Sequence, residues 1–65
     1  MKVILTSREM DILRAMSSGL TNSEIALKFQ ISKYTVSEHR KKIILKFKAK
    51  NSCEMMYLAC SKGFL

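Results

Sequence analysis

Apolar residues recur along this chain at intervals of three and four, in four runs that each follow a residue suited to starting a helix. Met10, Leu13 and Met16 stand three apart with Ile12 beside them, the spacing that lines up side chains on one helical face. Thr6 and Glu9 precede this run as a Thr-x-x-Glu box. Its hydroxyl accepts an orphan amide while the carboxylate returns to the cap residue's own N–H. Gly19 follows as the residue that ends a helix in left-handed backbone. The pattern predicts a first helix over 7–18. Thr21 and Glu24 repeat the box ahead of Ile25, Ala26, Leu27 and Phe29, which predicts a short second helix over 22–29. Ser32 caps a third over 33–48, where Val36, Ile43 and Phe47 form a narrow stripe with one face on a core. Asn51 and Glu54 open a fourth over 52–61, with Met55, Leu58 and Ala59 in period and Gly63 at its end.

Helices two and three are separated only by Gln30, Ile31 and Ser32. So short a link between two amphipathic helices is the geometry of a helix-turn-helix. Two glycines and no proline leave a set of short strands without turn residues, so the fold class is all-α. A chain of 65 residues is one domain, 1–65, that buries only about 60% of its surface. A deep enzyme cleft does not fit in it. No apolar run approaches the ~20 residues of a membrane span, and Met1 to Leu5 is too short for a signal peptide.

The chain carries +7, and the excess is local. Lys33, Arg40, Lys41, Lys42, Lys46, Lys48 and Lys50 all fall within 33–50, where Glu38 is the one acid. A basic segment confined to the second helix of a helix-turn-helix points to nucleic acid before any other acidic partner. A peptide lying on a membrane needs a helix both strongly basic and broadly apolar, and the third helix has only its narrow stripe.

Chemistry is scarce elsewhere. Cys53 and Cys60 lie about 10.5 Å apart along a shared helix, too far for a disulfide within the chain. They read as reduced thiols of a cytoplasmic protein. With one histidine and no Cys-x-x-Cys there is no zinc ligand set. No nucleophile stands beside a base, so no catalytic residue, metal or cofactor is expected.

These residues also carry a resemblance. Leu5-Thr6-Ser7-Arg8-Glu9, then Gly19-Leu20-Thr21-Asn22-Ser23-Glu24-Ile25-Ala26, then Ile31-Ser32-Lys33-Tyr34-Thr35-Val36-Ser37-Glu38-His39-Arg40, then Ile43 and Lys46-Phe47, together resemble the LuxR-type (FixJ/NarL or GerE-like) DNA-binding domain over about residues 4–60. The resemblance implies a four-helix domain with helices two and three as the helix-turn-helix. It also implies transcriptional regulation, double-stranded DNA as partner, a homodimer on DNA through helix four, contact with RNA polymerase, and a cytoplasmic, nucleoid-associated location in a bacterium. The chain departs from the family pattern at Lys42, which stands where an Asn is usual. It departs again at Lys48, which replaces the glycine of the usual Lys-Leu-Gly, and at Ser52, which replaces the arginine of Asn-Arg.

At 100° per residue, Val36, Arg40, Ile43 and Phe47 share the inward arc of helix three. The opposite arc holds Tyr34, Ser37, Glu38, Lys41, Leu45 and Lys48, with Lys42 on its flank. By resemblance the base-reading positions are Ser37, Glu38 and Lys41. Lys41 can donate to guanine, Glu38 can accept from cytosine N4, and Ser37 can do either. The plain alternative is a solvated face on which Glu38 pairs with Lys42. Lys33, Thr35, Lys42 and Lys48 are candidates for phosphate contacts, and Ser32 is the cap. Tyr34 either lies along the DNA backbone or covers a neighbouring helix, and His39 is either a core-edge side chain or a phosphate contact. Met55, Met56, Leu58, Ala59 and Cys60 exceed the apolar surface one helix face needs. They are therefore expected to form a dimer surface, or else to complete a monomer core.

Two rivals remain at this level. One is a protein-interaction module that sequesters another regulator through helix 52–61, whose binding would depend little on salt. The other is an enzyme, the reading least supported. Five residues ahead of the first cap leave no room for a signal-receiving domain, so the chain is expected to be an excised effector domain or a free-standing small regulator.

Overall fold

A computed structural model of the chain describes residues 3–65; Met1 and Lys2 of the expected 1–65 domain lie outside the described residues. Four helices follow one another: α1 (Ser7–Ser17), α2 (Asn22–Phe29), α3 (Lys33–Phe47) and α4 (Ser52–Ser61). α3 is central and packs against each of the other three.

The helix starts follow the caps. Thr6 and Thr21 each accept a hydrogen bond from the N–H three residues on, and the carboxylates of Glu9 and Glu24 each accept from the cap's own N–H, completing two boxes. Ser32 accepts from the Thr35 N–H at 3.0 Å. The start of α4 at Asn51 and Glu54 is different. Asn51 caps Glu54, but the Glu54 carboxylate accepts from the N–H of Lys50 rather than from Asn51. Asn51 is fully extended (φ −160°, ψ 180°), whereas Thr6 and Thr21 hold φ near −75°. Its own N–H is thereby turned away from the first turn.

The helix ends share one device. In each case the N–H of a residue two or three past the helix end reaches back to a carbonyl five residues earlier: Leu20 to Ala15, Ile31 to Ala26, Ala49 to Ile44 and Phe64 to Ala59, at 2.8–3.2 Å. This closure requires the preceding residue to be left-handed and brings an apolar side chain back onto the helix. Leu20, Ile31, Ala49 and Phe64 do pack against the core. Gly19 and Gly63 supply the positive φ at two ends, and Gln30 and Lys48 supply it at the others, both with φ 55°. Lys48 therefore stops α3 at Phe47, one residue short of the expected 48.

Ile12, Leu13, Ile25, Val36, Ile43, Met55 and Ala59 are wholly enclosed and Phe47 nearly so. The Phe64 ring meets Phe47 edge-on, with centroids 5.3 Å apart, so the residue beyond Gly63 closes the core at the end of α3. Each enclosed Ile or Leu contributes about 1.5–3 kcal/mol of burial, which a domain this small needs from every helix. Leu27, expected to join the apolar set of helix two, is instead 80% exposed, because it stands on the face of α2 opposite Ile25.

Candidate nucleic-acid interface

Two polar links hold α3 in place from behind. The Arg40 guanidinium donates to Asn22 Oδ1 at 2.8 Å and to Ser52 Oγ, so one side chain of α3 ties the first turn of α2 to the first residue of α4. Lys46 donates to the carboxylate of Glu9 on α1 at 2.6 Å. Burial raises the pKa of Glu9, but the Lys46 ammonium and the N–H and hydroxyl of Thr6 outweigh it and hold the carboxyl below its usual range. Two of the seven cations of 33–50 are thus used by the fold itself.

With Val36, Ile43 and Phe47 seated in the core, rotation of α3 is fixed and its outer arc is defined. Lys33, Lys41, Lys42 and Lys48 are exposed along it, while Thr35, Ser37 and Glu38 are half-buried. Tyr34 and Leu45 are exposed on the same arc, at 74% and 75%. Tyr34 therefore does not cover a neighbouring helix. Of the base-reading candidates, Ser37, Glu38 and Lys41 share this face. No ion pair joins Glu38 to Lys42 among the described residues, so an internal partner does not account for that carboxylate. The Thr35 hydroxyl lies 2.9 Å from the Ser32 hydroxyl, which places both at the amino end of α3, where first-turn amides point outward. His39 sits at the core edge, half-buried, with Nδ1 out of solvent and without a hydrogen-bond partner.

The expectation for α4 needs correction at two positions. Met55 and Ala59 are 0% exposed within a single copy. They stand four residues apart on the face turned to the core, and a side chain with no surface has none to offer a mate. Met56 and Leu58 are half-buried against the core. The exposed face of the helix consists instead of Cys53, Tyr57, Cys60 and Ser61. Tyr57, which is not among the residues expected on the outer face, shares it with Cys53 and Cys60 at spacings of four and three.

No helix among the described residues is long and apolar enough to cross a membrane. The family model for bacterial regulatory proteins of the luxR family matches residues 3–59. The chain is 38% identical over 60 residues to the transcriptional regulatory protein FixJ of Rhizobium meliloti, covering 92% of this chain and 29% of that protein. It is 37% identical over 62 residues to the oxygen regulatory protein NreC of Staphylococcus carnosus, covering 95% of this chain and 29% of that one. To the transcriptional regulatory protein YvfU of Bacillus subtilis it is 39% identical over 61 residues, 94% of this chain and 30% of the relative. The chain thus spans about a third or less of the length of these relatives. It belongs to the luxR family of bacterial regulatory proteins, a family of DNA-binding helix-turn-helix transcription regulators.

Proposed function

We propose that the domain regulates transcription by laying α3 in the major groove of a specific duplex site. The observation that carries this reading is the outer arc of α3. It presents Lys41, Lys42 and Lys48 beside Ser37 and Glu38, while the opposite side is locked into the core by Val36, Ile43 and Phe47. A helix so held can enter a groove without losing its fold. Ser37, Glu38 and Lys41 read base edges, with Lys41 donating to guanine O6 or N7 and Glu38 accepting from cytosine N4. Lys33, Tyr34, Thr35, Lys42, Lys48 and the first-turn amides of α3 contact the sugar-phosphate backbone and set the register.

Two copies bind together through the exposed face of α4, which would set their α3 helices about one DNA turn, ~34 Å, apart. The bound pair works in the cytoplasm at the nucleoid, with RNA polymerase as the downstream partner. Regulators named for transcription and for oxygen among the relatives favour this reading over a module that only sequesters another protein.

Selection of bound sequences from a random duplex pool tests it, followed by titration of the selected site against salt. Each phosphate neutralised releases close to one counterion, so a log–log slope of about −3 to −5 per domain is expected from the free lysines of α3. A slope shallower than about −2, or a pool that returns no shared sequence, refutes the reading.

A further inference from the structure

We infer that the α4 dimer surface is a thiol switch, in which peroxide joins Cys53 of one copy to Cys60 of a second copy and locks the pair covalently. The inference rests on the α4 pairing proposed above and adds its register and its chemistry.

Both cysteines are free and exposed, and they flank exposed Tyr57 on one face of α4. Seven residues are two helical turns less about 20°, so the two thiols point the same way, about 10.5 Å apart along the axis. They cannot bond to each other within a copy.

A second copy of this chain is the occupant that the charge pattern favours. The protein carries +7, and two copies repel wherever the lysines of α3 are brought together. From Asn51 to Ser61 there is no lysine or arginine, and the half-buried Glu54 is the one charge. This is the face on which self-association costs least.

When two α4 helices pair antiparallel, a twofold axis beside Met56 and Tyr57 sets Cys53 opposite Cys60 of the other copy, twice. Helices packed about 10 Å apart with Cα atoms about 2.3 Å from each axis place facing Cα atoms about 5.4 Å apart. That lies inside the disulfide window of about 4.4–6.8 Å. The two tyrosines meet at the centre.

The chemistry balances with a peroxide as oxidant. One thiol takes a hydroxyl from hydrogen peroxide, becoming a sulfenic acid and releasing water. The facing thiol displaces that hydroxyl as a second water, forming the S–S bond. Two thiols are oxidised and one peroxide is reduced for each bridge, and a dithiol reductant reverses it.

The test uses the 65-residue chain treated with hydrogen peroxide, with and without duplex DNA, and read by non-reducing electrophoresis and intact mass. The wild type should give a dimer four hydrogens lighter than two reduced copies. Cys53→Ser alone and Cys60→Ser alone should each give at least about tenfold less, because like residues lie at opposite ends of the pair. Mixing the two variants should restore a singly bridged dimer. Equal cross-linking by the single variants, or no gain on mixing, overturns the proposal. If peroxide produces no dimer while the reduced protein still fills two half-sites cooperatively, the switch is wrong and the α4 pairing stands. If cooperativity is also absent, both fall.

Discussion

Lys46 and Glu9, 37 residues apart in sequence, meet at 2.6 Å, and the two ends of the contact are unequally buried: the carboxylate side chain is 4% exposed and the lysine 37%. The asymmetry decides what each substitution does. Glu9→Gln leaves a lysine that water can still solvate, and it should cost about 1–2 kcal/mol. Lys46→Met strands a buried charge and should cost more, about 2–4 kcal/mol. Urea unfolding of both variants would show the order, and an equal or reversed order would mean that burial of Glu9 is not what makes the pair matter.

The same pair sets an acid limit. The Glu9 pKa is lower in the folded chain than in the unfolded one, where it is about 4.3. Its contribution is therefore fully present above that value and is lost as pH falls through the folded value. Wild type should lose stability more steeply than Glu9→Gln as pH falls below about 4.3. Parallel melting curves across that range would contradict the assignment.

Much of this fold was legible in the chain because caps are local. Thr6, Thr21, Ser32 and Asn51 are each satisfied within three residues, so four starts and the order of helices could be read without knowing how they pack. The ends depended on backbone conformation that residue type does not announce. Gln30 and Lys48 take the left-handed position as glycine would, and nothing about a glutamine or a lysine says so. The basic arc of α3 was legible because its core stripe fixed its rotation. The outer face of α4 was not: Met55, Met56, Leu58 and Ala59 are all apolar, and only packing separates the two enclosed in the core from the two half-buried at its edge. The Arg40 link to Asn22 and Ser52 joins three helices, and no spacing in the sequence signals it.

The left-handed lysine offers a clean separation of stability from binding. A non-glycine residue there costs about 1–2 kcal/mol in sterics, partly offset by the entropy that glycine loses on folding. Lys48→Gly and Gln30→Gly should each stabilise the domain by about 0.5–1 kcal/mol. Only the first removes a cation from the outer arc of α3, the arc proposed to face DNA, so it alone should weaken duplex binding and reduce the salt slope by about one. Equal loss of binding in both variants would show that Lys48 contacts no phosphate.

The proposed base reading by Lys41 and backbone contact by Lys33 are separable by substitution. Lys41→Ala should cost roughly 1–3 kcal/mol on the selected site and relax preference at one position. Lys33→Ala should weaken selected and random duplexes alike. Competition assays with both kinds of DNA distinguish the two. If Lys41→Ala loses the same factor on each, it belongs with the phosphate contacts.

Pairing through α4 predicts a dimer that exists mainly on DNA. A ten-residue helix presents a few hundred Å² per copy, below the roughly 800 Å² of a standard stable interface, so the free domain should sediment as a monomer or a weak dimer. DNA supplies the rest by holding two copies at high effective concentration. Tyr57 is 69% exposed and takes no part in the core, so Tyr57→Asp should fold normally and bind a single half-site nearly as well as wild type. It should lose cooperative filling of two half-sites, because each copy would set a carboxylate against its twin across the twofold axis. Met55→Glu is the contrasting control: its side chain is enclosed within one copy, so it should unfold the domain by circular dichroism rather than merely uncouple it. A folded Tyr57→Asp that still fills both half-sites cooperatively would place the dimer surface elsewhere than on α4.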